Sequence, residues 1–303
     1  MLNPDGIYSF VDGVDAADVS ASTMLVALDG FVDAGHTQQL LAEYILDHHE
    51  SELVASFDAD QFVDYRGRRP TLVYDKDHYA SYNAPTIELH RILDADGTPF
   101  LLLLGVEPDY QWERMIAAVT GLIADLDVTL TVTTMHGIPM GVPHTRPINV
   151  TVHASNDALL PAVQSPFGKV VVPGSFDGLL ELRLREAGRD ALGFSVNVPH
   201  YLAQMELPHA AVAALDRVVG ATGLRLNRAE LDSSAAQAKA VLEEQLRDKA
   251  EIKPVVAALE QQYDAYMGSL ERPSLLAANV EELPTADEIG AEFEAFLRDQ
   301  PDS

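Results

Sequence analysis

The chain has no cysteine and only one tryptophan among its 303 residues. Without cysteine there is no disulfide, no thiolate nucleophile and no thiolate metal site, which fits a reducing compartment. Positive charge is also scarce: 20 lysines and arginines stand against 47 aspartates and glutamates, a formal net charge of −27. So acidic a chain repels phosphate backbones and anionic headgroups over about a Debye length, so nucleic acid and membrane surfaces are not expected partners. Long apolar runs are missing too. The densest, residues 100–106, falls far short of the roughly 20 residues that cross a bilayer. The opening Met1-Leu2-Asn3-Pro4-Asp5-Gly6 has neither the basic nor the apolar region of a signal peptide, and the expected location is cytoplasmic.

What is present is a strand and helix alternation. An apolar run at residues 24–28 ends at Asp29-Gly30, and residues 34–48 follow with Leu40, Leu41, Tyr44 and Ile45 at helical spacing. The unit recurs with a buried strand at 100–104, a loop at 105–109 and a helix at 111–126 carrying Trp112, Ile116, Val119 and Ile123. Residues 128–135 are rich in Val and Thr, and further strands are expected at 72–74, 148–153, 169–172 and 192–198, with helices at 177–187 and 209–219. With 47% hydrophobic residues the chain can bury a substantial core. The alternation predicts an α/β fold, a three-layer αβα arrangement whose mostly parallel or mixed sheet is covered on both faces.

Past about residue 224 the strand signals vanish and Ala, Glu, Gln and Leu dominate. The expected division is an α/β core domain over 1–224 and a helical C-terminal region over 225–303. Pro254 suits the first turn of a helix in which Val256, Leu259, Tyr263, Tyr266 and Leu270 form a narrow apolar seam. Thr285 and Glu288 read as a capping box for a last helix with Ile289, Phe293, Phe296 and Leu297 on one stripe. Packing on the chain's own core and contact with another subunit both satisfy such stripes.

In an open α/β sheet, ligands bind beyond the carboxyl ends of the strands. Asp29, Gly30, Asp33, Gly35 and His36 follow the first strand, and Glu107, Pro108 and Asp109 follow the leucine-rich one. Asp29, Gly30, Asp33, Glu107 and Asp109 are therefore candidate ligand-binding residues, although Asp33 also reads as a helix cap and the glycines as turn formers. No G-x-G-x-x-G and no Gly-Lys-Ser/Thr accompanies them.

Two proline-braced segments, Pro143-His144-Thr145-Arg146-Pro147 and Val198-Pro199-His200-Tyr201, hold histidines in stretches that proline biases away from helix. His144, Arg146 and His200 could serve as an acid/base with an anion clamp, or could bond backbone carbonyls and carboxylates as architecture. The run Arg66-Gly67-Arg68-Arg69-Pro70 could bind an acidic partner or be ion-paired at the surface. His136, His144 and His153 match no ligand spacing, so no metal is expected. Ser175 is not in a G-x-S-x-G elbow and reads as a helix cap.

Taken in order, Gly30-Phe31 with Asp33-Ala34-Gly35, Asp64-Tyr65-Arg66 with Arg68-Arg69-Pro70, Gly105-Val106-Glu107-Pro108-Asp109 with Trp112, and the two proline-histidine segments make the chain resemble the proteasome assembly chaperone family, second-subunit type. The resemblance runs from about residue 25 to 231, and Leu259-Glu260-Gln261-Gln262-Tyr263-Asp264 is similar to the helical tail of bacterial members. It implies a core similar to the phosphorylase/hydrolase-like fold and self-assembly into a ring or smaller homo-oligomer, here expected to be a trimer; no cofactor is expected. Some relatives dock on the proteasome core through a C-terminal hydrophobic-Tyr-any tripeptide. This sequence closes on Pro301-Asp302-Ser303, so docking by that route is not expected. The leading expectation is a non-enzymatic assembly or scaffold protein contacting other proteins. The alternative is an enzyme or binder of an anionic or nucleoside-like ligand, with His144, Arg146 and His200 as acid/base and clamp and Asp29 and Glu107 as orienting carboxylates.

Overall fold

The computed structural model describes residues 3–160, 169–247 and 252–270. In chain order its elements are β1 (Tyr8–Phe10), β2 (Thr23–Asp29), α1 (Thr37–His48), β3 (Ser51–Phe57), β4 (Leu72–Asp75), β5 (His78–Tyr82), β6 (Ile87–Leu93), β7 (Pro99–Val106), α2 (Trp112–Asp125), β8 (Leu130–Thr134), β9 (Gly137–Met140), β10 (Val150–Ala154), α3 (Phe176–Glu186), β11 (Asp190–Pro199), α4 (Pro208–Thr222), α5 (Ala229–Arg247) and α6 (Lys253–Leu270).

Nine strands form one sheet in the order β1-β3-β6-β7-β2-β8-β11-β10, with β9 added alongside β11. The centre is parallel, β7 with β2, β2 with β8 and β8 with β11, whereas β1, β3 and β6 on one flank and β10 on the other pair antiparallel. The sequence of each strand follows its place. Central β2 and β7 are near-continuous apolar runs because both their faces are covered. One core lies between the sheet and α1, α4 and α5, through Leu41, Ile45, Leu215 and Leu242. The other lies between the sheet and α2 and α3, through Ile116, Val119, Phe176 and Leu180. The three-layer α/β architecture with a mixed sheet and C-terminal helices is thus the observed one.

Several local expectations are corrected. Residues 169–172 form no strand: Val170, Val171 and Val172 lie in coil, Val171 96% exposed, since β-propensity builds nothing where no neighbouring strand pairs with it. Residues 72–74 do form a strand, but in the separate β4–β5 hairpin and not in the main sheet. β7 runs on through Gly105 and Val106, two residues past the strand end expected at 104. Strands β1, β3, β5, β6 and β9 lacked a sequence expectation. The expected helix around Thr285, Glu288, Ile289, Phe293, Phe296 and Leu297 lies outside the described residues. No helix among the described residues is long and apolar enough to cross a membrane.

Candidate functional site

Two polar clusters occupy the carboxyl-terminal side of the sheet. At the first, β2 ends in Asp29, whose backbone carbonyl accepts the Glu107 N–H at 3.0 Å just beyond β7 and Arg68 Nη1 at 3.2 Å. Arg68 also donates from Nε (3.1 Å) and Nη2 (2.5 Å) to Asp109 Oδ1, and Asp109 Oδ2 accepts the Asp64 N–H at 2.6 Å. Asp29, Gln39, Glu43, Arg68, Arg69 and Thr86 face a cavity of about 570 Å³. Burial raises the Asp29 carboxyl above its ordinary range, with the charge of Asp33 adding to it and Arg68 and His36 opposing. Burial likewise raises Glu107, against the Phe176 N–H that Glu107 Oε1 accepts at 2.7 Å. A carboxyl with a raised pKa at the cavity mouth, beside the Arg68 guanidinium, can bind a polar ligand or share its proton.

Asp33 lies at the same end of the sheet. Its two oxygens accept the Gln38 and Gln39 N–H groups at 3.0–3.1 Å, capping the first turn of α1, and Oδ1 also accepts the Gly137 N–H at 3.0 Å. Gly137 must be glycine, because a Cβ there would stand 1.9 Å from the Ala34 carbonyl oxygen.

The second cluster is built around α6. Arg146 donates from Nε and Nη2 to the two oxygens of Asp264, both at 2.8 Å, and from Nη1 to Glu260 at 3.2 Å. The Tyr263 hydroxyl donates to the Pro147 carbonyl at 2.9 Å. The Tyr201 hydroxyl accepts the His144 backbone N–H at 2.9 Å and lies 2.7 Å from His144 Nδ1. His144 and Arg146 border a cavity of about 380 Å³ closed by Ile148, His209, Lys239 and Leu242. Burial holds both His144 and His209 below the ordinary imidazole range, opposed by Glu243 and, at His144, by Glu260, while Lys239 lowers both further.

A family model described as the PAC2 family matches residues 27–246. The chain belongs to the PAC2 family. Solved structures of similar chains include a Mycobacterium tuberculosis protein of unknown function, 41% identical, with a TM-score of 0.82 over 88% of this chain and 93% of the other. A PAC2 family protein from Streptomyces avermitilis is 27% identical, with a TM-score of 0.67 over 77% of this chain and 99% of its own. A proteasome-assembly chaperone homologue from Mycobacterium tuberculosis shares the fold at 22% identity, with a TM-score of 0.70 over 77% and 99% of the two chains. No curated protein matches.

In this PAC2 chain the candidate residues fall into groups. Asp29, Gly30, Glu107 and Asp109 gather around Arg68, with Gly30 packed against the Glu107 carboxylate. His144 and Arg146 gather around Tyr201 and α6. His200 is exposed, its ring edge-on to Tyr201 with centroids 5.4 Å apart and its Nδ1 3.4 Å from the Met140 carbonyl. The partners of Asp29 and Glu107 are not shared with His144, Arg146 or His200. Sequence reasoning missed Tyr201, Glu260 and Asp264 as partners of the proline-braced segment. It also missed two histidine–carboxylate pairs under α3, His136 with Asp177 at 3.2 Å and His153 with Glu181 at 2.7 Å. No local signal could have matched these pairs across such sequence separations.

Proposed function

We propose that this PAC2-family chain is an assembly or scaffold protein that works as a homo-oligomer, a trimer in the simplest ring, and contacts other proteins through its rim loops, the β4–β5 hairpin and its C-terminal helices. The observation that carries this reading is the hairpin. Leu72, Val73, Tyr74, Tyr79 and Tyr82 are all more than half exposed on a two-stranded ribbon outside the main sheet. An isolated hairpin is marginal in water, and contiguous exposed apolar and aromatic side chains mark protein contact surfaces. The relative described as a proteasome-assembly chaperone homologue supports a chaperone-like role in the family.

Under this reading His144 and Arg146 do no chemistry at the rim. Their fork onto Asp264 and bond to Tyr201 strap α6 to the segment between β9 and β10. The same reading divides the chain near residue 224 into an α/β unit and a helical region docked on it, with Leu231 and Leu242 of α5 buried against the core. A second reading, binding of a small anionic or nucleoside-like ligand, is favoured by the cavity at Asp29 and Arg68. Sedimentation of the full chain and of a Val73→Ser/Tyr74→Ser/Tyr79→Ser variant tests the first reading. The native chain should sediment as an oligomer and the variant as a folded monomer; a native chain that stays monomeric at every concentration contradicts it.

A further inference from the structure

The face of the sheet beneath α3 carries a constellation that lies outside both clusters. β10 and β11 pair so that His153 stands opposite Gly193 and Thr151 opposite Ser195, and these four positions share one face. Glu181 reaches that face from α3. Its Oε2 lies 2.7 Å from His153 Nδ1 and accepts the Thr133 hydroxyl at 3.0 Å. The other ring nitrogen, His153 Nε2, lies 3.4 Å from Ser195 Oγ. An ionised carboxylate only accepts, so Nδ1 carries the proton toward Glu181 and Nε2 presents its lone pair to the Ser195 hydroxyl.

We propose that Ser195, His153 and Glu181 form an acyl-transfer site for small, uncharged esters. Ser195 is the nucleophile, His153 its base, and Glu181 the positioning residue that fixes the imidazole tautomer. This goes beyond the assembly reading and does not depend on it.

Two observations support the assignment. First, Gly193 exists for the ring: a Cβ there would fall 1.9 Å from His153 Cε1 and 2.5 Å from each ring nitrogen. Glycine weakens a strand interior, and here its absence of a side chain lets the imidazole lie across β11 between Glu181 and Ser195. Second, exposure is graded as the chemistry needs, with the Glu181 side chain 14% and the His153 side chain 38% exposed. Asp177 and Glu181 on α3, together with the net charge of −27, disfavour anionic substrates, and the half-buried Ser195 favours short acyl groups.

The reaction balances with water as the only co-reactant. Ser195 Oγ bonds to the ester carbonyl carbon as its proton passes to His153 Nε2. The carbon–alkoxy bond then breaks, and His153 returns that proton to the departing alkoxide. Water attacks the resulting acyl-serine, losing its proton to His153, and collapse restores the Ser195 hydroxyl and releases the acid.

The test is covalent labelling of the full chain with diisopropyl fluorophosphate, mapped by peptide mass spectrometry. The expected result is one adduct on Ser195, absent in Ser195→Ala. Labelling should slow about a hundredfold or more in His153→Gln. In the native chain the labelling rate should rise with pH through a single imidazole inflection, and in Glu181→Gln that inflection should move. Should His153→Gln fail to fold, the native pH profile supplies the same information. No adduct on Ser195, or labelling independent of pH and of a folded His153→Gln substitution, overturns the proposal.

Discussion

Asp33 Oδ1 accepts a hydrogen bond at 3.0 Å from the backbone N–H of Gly137, 104 residues further along the chain. The same carboxylate caps α1, so one side chain fixes the helix start and the strand β9 together. Gly137 is buried under the turn at Ala34, with no room for a methyl group. Gly137→Ala should therefore cost more than about 2 kcal/mol, through displaced backbone and loss of the Asp33 bond. Gly220→Ala, at an exposed helical position of α4 with open space around it, should instead stabilise by about 0.5–1 kcal/mol. Urea midpoints of the two variants check this.

Acidification should loosen the cavity between the β9–β10 segment and the α4–α5 pair. His144 and His209 line it beside Arg146, Lys239 and Asp216, with Glu243 and Glu260 nearby in charge. Both histidines are held below the ordinary value of 6.5, chiefly by burial. A depressed folded value means that the unfolded chain takes up the proton first. The stability they contribute is complete above pH 6.5 and is lost as pH falls through the depressed values. Asp29 and Glu107, both raised by burial, act in the opposite sense, contributing stability that is lost as pH rises through their folded values. The urea midpoint should drop between about pH 7.5 and about pH 5.5, and a His144→Gln/His209→Gln variant should drop less. Equal drops in both chains would contradict the assignment.

Removal of the Arg146 guanidinium should release α6 without unfolding the sheet. Arg146→Met deletes the fork onto Asp264 and the bond to Glu260, but leaves the Tyr263 and Tyr201 bonds in place. Amides of residues 253–268 should exchange several-fold faster, and those of β2 and β7 at the native rate. Asp264→Asn should have a weaker effect in the same direction.

How much of this was legible depended on range. The apolar runs of β2 and β7 announce buried central strands because both their faces are covered, and Asp33 and Ser175 announce caps because their partners are a few residues away. β6 alternates Ile87 and Leu89 with Glu88 and His90, the half-buried pattern of an antiparallel flank, and β3 opens on Ser51-Glu52, so neither stands out as an apolar run. Arg146 and Asp264 are 118 residues apart, and His153, Glu181 and Ser195 sit on three elements. Nothing local pairs such residues; only the strand order and the docking of helices do. The proline bracing around His144 and His200 was visible, but proline fixes backbone conformation and says nothing of where the ring's partner lies.

The assembly claim is tested most directly by hydrogen exchange of the native chain across a range of protein concentrations, read at residues 72–82. Those amides belong to a two-stranded ribbon whose side chains are exposed throughout, so a lone chain should leave them weakly protected. The account predicts that their protection rises with concentration, in step with the sedimenting mass. Rapid exchange there at every concentration, whatever the mass, would contradict it.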